Sequence, residues 1–252
     1  MPSAERKQVV IVLSAILAAA FLSLALPDMA LNTVFADAVV RVTDTASWPQ
    51  LAILGAGVAG VVITRPGIGR RRRVFEAGAF ALVLLLFLAG NAALNEYVVK
   101  PYFAVPRPNI EELADSGALG TDFPDADAFY TIGNKAARRR PLGQILASLE
   151  SPLLSDRVRA HWAHETGYSF PSGHSTAAMT LAAMMVATGL VWLDGWRRVL
   201  TVVVLPLWAV AVVYSRVLLD VHTAGDVIVG ALAGIWWGLL AFAAVRWGVS
   251  RR

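Results

Sequence analysis

The stretch Val74–Leu94, VFEAGAFALVLLLFLAGNAAL, follows four consecutive arginines, Arg70 to Arg73, and carries a single charge, Glu76, near its start. As a helix it is long enough to cross the roughly 30 Å of hydrocarbon in a bilayer. Working outward, five more apolar runs are found: Val9–Leu26, Trp48–Thr64, Thr176–Leu193, Val199–Val213 and Val227–Trp247. The second and fifth are short, so each must continue past its apolar core or sit in a thin region of membrane. The first follows Arg6 and Lys7, as the apolar part of a signal peptide would. Its length and the spans after it favour a retained helix. Composition agrees, since 57% of the 252 residues are apolar and 16% charged, against about 25% charged in soluble proteins. Mean hydropathy is +0.59. The expected fold is an all-α polytopic membrane protein with six transmembrane helices, forming one membrane-embedded domain over residues 1–252.

Basic residues mark alternate junctions. Arg6 and Lys7, Arg65 with Arg70 to Arg73, Arg197 and Arg198, and Arg251 and Arg252 flank one side, whereas Asp28, Asp37, Arg41 and Asp44 follow the first span. The loop over residues 98–173 is nearly balanced, with eight basic and nine acidic residues. The positive-inside rule places both termini and the arginine loops in the cytoplasm. These arginines, which give the chain its net charge of +4, therefore read as topology signals. A nucleic-acid patch would want interleaved aromatics. Trp48, Trp192, Trp196 and Trp247 stand near membrane boundaries, where indole rings favour the interface. The expected partner is the lipid bilayer, with no nucleic acid and no obligate protein partner evident. The absence of cysteine excludes a disulfide scaffold, thiolate zinc sites and cysteine nucleophiles.

The loop over 98–173 is too long for a plain connection. It is rich in Asp, Gly and Pro up to Pro124, while Pro141 to Trp162 has the apolar spacing of one or two short helices. A small cap over the outer face is expected.

Three polar stretches on that face are not explained by membrane insertion. They are Lys100 to Arg107-Pro108, Phe170-Pro171-Ser172-Gly173-His174-Ser175, and Ser215-Arg216 through His222 to Asp226. Charges gathered at one depth near lipid are costly unless they share an internal polar site. If the last helix begins before His222, then His222 and Asp226 occupy one face, and the carboxylate can hold one ring nitrogen while the other points into a cavity. A structural helix pair has the same spacing. In Pro-Ser-Gly-His the glycine permits a tight turn at a helix start, leaving backbone N–H groups and the Ser172 hydroxyl for an anion. Lys100, Arg107 and Arg216 add positive charge, and arginine's planar fork matches paired phosphate oxygens. Taken alone, the first two are also what interfacial charges look like.

The set Lys-x6-Arg-Pro, Pro-Ser-Gly-His and Ser-Arg-x5-His-x3-Asp, in that order at span ends on one face, resembles the signature of the type 2 phosphatidic acid phosphatases, whose fold is shared with the vanadium haloperoxidases. The resemblance covers about Leu94 to Trp247. It implies that His222 attacks phosphorus, that Asp226 fixes the ring tautomer, and that His174 protonates the leaving oxygen and later activates water. Lys100, Arg107, Arg216, Ser172 and the Gly173 N–H would hold the phosphoryl oxygens. No metal or other cofactor is implied. His161 and His164 remain as half a metal site, for which packing in the cap is the preferred reading.

The stretches His161 to Gly167 and Asp127 to Thr131 are similar to the phosphatidylglycerophosphate phosphatase B branch. The implied substrate is a phosphorylated membrane lipid, phosphatidylglycerophosphate first, with undecaprenyl pyrophosphate, phosphatidate and diacylglycerol pyrophosphate as alternatives. The implied location is the bacterial inner membrane, with the active site on the periplasmic or outer face. A transporter would place its charges nearer mid-membrane, and a vanadate-dependent haloperoxidase would use a similar anion pocket.

Overall fold

The computed structural model describes residues 3–149 and 153–250. Arg251 and Arg252, read above as topology signals, lie outside them. Within the described residues all regular structure is helical. The chain begins with α1 (Ser3–Phe21), α2 (Val34–Asp44), α3 (Trp48–Ile63) and α4 (Arg70–Leu94), and α4 runs through a π-helical turn into α5 (Lys100–Phe103). The long loop holds α6 (Pro108–Asp115), α7 (Ala126–Tyr130), α8 (Lys135–Ser148) and α9 (Asp156–His164). Then come α10 (Gly173–Trp192), α11 (Gly195–Val199), α12 (Leu205–Leu218) and α13 (Ala224–Ser250).

Five helical stretches are long and apolar enough to cross a membrane: Ser3–Ala25, Arg70–Asp115, Gly173–Trp192, Gly195–Leu218 and Ala224–Val249. A sixth exists if α2 and α3, bent by 62° at their junction, count as one crossing. The fifth run is lengthened by extension from Gly195 to Leu218, and α2 lengthens the second where the bent pair is one crossing. Glu76, inside α4, is buried between Arg65 and Arg72, the latter at 2.8 Å. Paired in this way, the carboxylate avoids standing as an isolated charge.

The centre of the bundle is α10, which packs against α1, α4, α12 and α13 and is buried along almost its whole length. A helix apolar on every face belongs in such a position. Its buried hydroxyls are satisfied within the helix: Thr176, Thr180 and Thr188 donate to the carbonyls four residues back at 2.8–2.9 Å.

The backbones of α10 and α13 approach closely where Gly230, Gly234 and Gly238 form a stripe along one side of α13. A Cβ on these glycines would lie 2.6, 2.5 and 2.5 Å from the carbonyl oxygens of Ser172, Thr176 and Thr180 respectively. Only the absence of a side chain lets the two backbones approach so closely.

A second apolar cluster, including Ile110, Leu113, Phe129, Leu142, Val158 and Trp162, joins α6–α9 to Val39 and Val40 of α2 and to Leu219 and Val221. Of the one or two short helices expected between Pro141 and Trp162, two are present, but α8 starts six residues before Pro141 and runs through it. The Asn134 side chain caps its N-terminus by accepting from Ala136 and Ala137 N–H. Buried Arg138 pins the first turn by donating to the carbonyls of Tyr130, Gly133 and Thr166.

Replacing Gly234 with alanine is expected to lower stability by about 1–3 kcal/mol, because the backbone it would strike cannot rotate away. Gly57, where an added Cβ meets nothing within 4 Å, is the control. Thermal unfolding of the purified protein in detergent should show a fall in midpoint for Gly234→Ala and none for Gly57→Ala.

Candidate active site

Three backbone hydrogen bonds join the polar stretches singled out from sequence. Ser169 N donates to Val105 O at 2.8 Å, Asn109 N to Asp220 O at 2.8 Å, and Ser172 N to Asp226 O at 3.1 Å. The turn carrying His222 folds back so that the N–H groups of Val221 and His222 both donate to Arg216 O. Trp162 Nε1 holds the same turn from α9 by donating to Leu219 O at 2.8 Å.

The helix α13 starts at Ala224, after His222, so the histidine and Asp226 do not share a helical face as expected. The reason is a capping box. Thr223 N–H donates to Asp226 Oδ2 at 2.8 Å, and Asp226 N–H donates to Thr223 Oγ1 at 3.2 Å, which makes Thr223 the cap and fixes the first helical residue at Ala224, two beyond His222. The pair forms nevertheless, with His222 Nδ1 3.5 Å from Asp226 Oδ2. Ser169 Oγ donates to the same carboxylate oxygen and lies 3.3 Å from Nδ1.

The other ring nitrogen, Nε2, is 3.2 Å from an Arg107 guanidinium nitrogen. A guanidinium only donates, so Nε2 is the nitrogen with the free lone pair and Nδ1 carries the proton. Burial first, and then the charges of Arg107 and Arg216, hold the His222 imidazole well below its usual range. It is neutral at pH 7.

Arg107 is fixed on every side. Its Nε donates to Gly167 O at 2.8 Å and Nη1 to Val221 O at 2.9 Å, while Nη2 pairs with Glu165 Oε2 at 2.8 Å. Arg216 donates from Nη1 to Thr43 Oγ1 at 2.7 Å and pairs through Nη2 with Glu165 Oε1 at 2.6 Å. One carboxylate therefore bridges the two arginines, one oxygen to each. Burial alone would raise the Glu165 carboxyl, but the charges of Arg216 and Arg107 hold it well below the usual carboxylate range.

His161 Nε2 also faces Arg216, at 3.2 Å, and burial followed by that charge lowers its pKa to about 4. His164 turns instead to Arg139, at 2.9 Å. Among the described residues no group of three or more His, Asp or Glu side chains is placed to hold a metal ion.

A cavity of about 740 Å³ opens onto this cluster, and His222, His174, Gly173, Lys100, Arg107 and Glu165 line it. Lys100 is buried and donates to Tyr168 O at 2.8 Å. Gly173 does not use a left-handed backbone. A Cβ there would meet nothing within 4 Å, so its lack of a side chain enlarges the cavity. Ser172, Arg216 and Asp226 are buried behind the lining. Ser172 caps α10, its Oγ lying 2.9 Å from Ser175 Oγ and accepting from Ser175 N.

All eight residues expected from the sequence thus converge on one region. Ser169, Glu165, Thr43 and Thr223 complete the arrangement and were not foreseen. Glu165 stood in the quoted stretch, but nothing in its spacing linked it to arginines more than 50 residues away. Tyr130, from the other quoted stretch, stacks on Tyr168 and accepts from Arg107 N–H at 3.2 Å, so it supports the arginine from behind.

The sequence pattern of the PAP2 superfamily matches residues 79–249, a segment that contains all three polar stretches. The chain belongs to the PAP2 superfamily. It is 36% identical over 166 residues to phosphatidylglycerophosphatase B of Escherichia coli K12, an alignment covering 65% of this chain and 60% of that protein. Phosphatidylglycerophosphatase B of Haemophilus influenzae is 40% identical over 75 residues, 29% of this chain and 30% of that protein. An undecaprenyl-diphosphatase of Sulfolobus acidocaldarius is 40% identical over 76 residues, 30% of this chain and 33% of that protein. The chain thus spans about 60% of the length of its E. coli PAP2 relative.

Because Glu165 pairs with both Arg107 and Arg216, an oxyanion added at these guanidiniums would have to displace it. Glu165→Gln is expected to tighten inorganic phosphate binding on the order of tenfold, about 1.4 kcal/mol, read as a larger phosphate-induced rise in melting midpoint than in the parent. An unchanged or smaller rise would show that the carboxylate does not block the arginines.

Proposed function

We propose that this protein is a membrane lipid phosphatase that hydrolyses the terminal phosphate of phosphatidylglycerophosphate and related lipids through a phosphohistidine at His222. The observation carrying this reading is the state of His222: neutral, its Nδ1 side held by Asp226 and Ser169, its Nε2 lone pair turned toward Arg107 beside a cavity. That is an oriented nucleophile. Nε2 attacks phosphorus and the bond to the lipid oxygen breaks. His174 gives a proton to that oxygen, then takes one from a water that cleaves the nitrogen–phosphorus bond, releasing inorganic phosphate. The developing positive charge on the His222 ring is met by the Asp226 carboxylate.

Lys100, Arg107, Arg216, Ser172 and the Gly173 N–H hold the phosphoryl oxygens, which carry the transition-state charge. Arg216 Nε, buried without a partner among the described residues, is a donor in reserve. Binding substrate requires Glu165 to yield the two guanidiniums. Neither metal nor cofactor takes part.

In this reading α2 and α3 make one bent crossing, giving six spans, and residues 98–173 form a cap within a single domain over residues 1–252. The exposed Trp196 and Trp247 lie at the cytoplasmic boundary. Both termini are cytoplasmic and the site faces the periplasmic or outer side of a bacterial inner membrane, as the arginine distribution supports. The names of the E. coli and H. influenzae relatives support phosphatidylglycerophosphate as substrate. The name of the Sulfolobus relative supports undecaprenyl pyrophosphate as an alternative, with phosphatidate and diacylglycerol pyrophosphate also suited to the same oxygen cradle.

Purified protein should release phosphate from phosphatidylglycerophosphate in detergent, with kcat/KM above that for phosphatidate. His222→Ala should abolish turnover, and Asp226→Asn should reduce kcat by on the order of 10²–10⁴-fold, through loss of ring orientation. Full activity of His222→Ala would refute the mechanism, and a tenfold preference for undecaprenyl pyrophosphate would exchange the order of substrates.

A further inference from the structure

The cavity has two unlike walls. Leu51, Leu88 and Ala177, from α3, α4 and α10, give it an apolar side. The side formed by α8 and α9 presents Lys135, Arg139 and Arg157, none of which hydrogen-bonds to His222, Asp226 or the arginines around Glu165. Across the whole lining, five lysines and arginines face three carboxylates, those of Asp44, Glu96 and Glu165.

The three cations on the second wall are not equally committed. Lys135 is paired with Glu96 at 2.8 Å. Arg139 meets only His164 through Nη2, and its Nε is buried with no partner among the described residues. Arg157 reaches Asp44 electrostatically and makes no ion pair within 4.0 Å among those residues. Two guanidiniums therefore border the reaction cavity without a carboxylate bound to either, an arrangement suited to a second oxyanion.

We propose that Arg139 and Arg157 form a second anion subsite, which takes the non-reacting phosphodiester of a lipid headgroup while its terminal phosphate lies against His222. This deepens the lipid phosphatase reading and rests on it. His222 is touched by Arg107, Ser169 and Asp226, whereas Arg139 and Arg157 stand on two other helices, α8 and α9, that line the same cavity. Since neither arginine contacts His222 or the groups that hold it, the phosphate they take is one spaced from the reacting phosphate, as a glycerol spaces the two phosphates of such a headgroup. The apolar wall opposite gives the attached tails a surface to follow. The subsite then selects lipids that carry two phosphates across a glycerol, because a lipid with one phosphate leaves both guanidiniums unmatched.

The test separates this inference from the reaction itself. In His222→Ala protein, which cannot turn over, glycerol 1,3-bisphosphate is expected to bind at least tenfold more tightly than glycerol 3-phosphate, measured by calorimetry at fixed ionic strength. The double change Arg139→Gln and Arg157→Gln should reduce that ratio to near one. Arg140→Gln, on an exposed side chain of α8 outside the lining, should leave it intact. With His222 restored, the same double change should lower kcat/KM at least thirtyfold for phosphatidylglycerophosphate and less than threefold for phosphatidate. Equal affinity for the two glycerol phosphates, or a ratio that survives the double change, would overturn the subsite. Failure of the lipid phosphatase reading would appear separately, as no phosphate release from any lipid by the parent.

Discussion

The backbone contact between α10 and α13 is the constraint on which the site depends. With Gly230, Gly234 and Gly238 facing the carbonyls of Ser172, Thr176 and Thr180, the two helices cannot slide past one another without steric clash. Their relative register is thereby held, and the hydrogen bond from Ser172 N to Asp226 O ties the start of α10 to the first turn of α13. His174 lies on the first turn of one helix and His222 in the turn before the other. In a bilayer, where apolar surface gains little by leaving lipid, packing this close is what associates helices, so one feature serves both stability and the placement of two histidines.

Around that frame the charges are organised by mutual need. Arg107 and Arg216 lie more than a hundred residues apart in the sequence, and each is buried. Leaving either unpaired would cost several kcal/mol. Glu165 meets both with one carboxylate, and backbone carbonyls and Thr43 take much of the remaining donor capacity. In the proposed reaction these same interactions are the ones that a phosphoryl group would take over from Glu165. A cradle of this kind is preorganised in position while remaining satisfied in charge, so that oxyanion binding becomes an exchange of partners.

What the sequence made legible follows from the physics of each feature. The apolar runs were readable because a bilayer imposes length and composition on any helix that crosses it, and each run matches a continuous helical stretch to within a residue at its end. The eight site residues were readable because they stand in three short motifs, each at a span end. The glycine stripe was not, since glycines four residues apart in an apolar run look like background until the facing helix is known. Glu165, Ser169 and Thr43 act through contacts distant in sequence and carry no local pattern. The start of α13 was left open by the sequence, because Asp226 can serve either as the partner of His222 or, with Thr223, as half of a capping box, and in the structure it does both.

The covalent role of His222 has one decisive observable, the stereochemical course at phosphorus. Hydrolysis of a lipid phosphorothioate made chiral with oxygen isotopes, in isotopically labelled water, reports whether one or two in-line displacements occur. Transfer to His222 followed by attack of water gives two inversions, so the account predicts net retention of configuration. Net inversion would mean that water attacks the lipid phosphate directly, and would contradict a phosphohistidine intermediate.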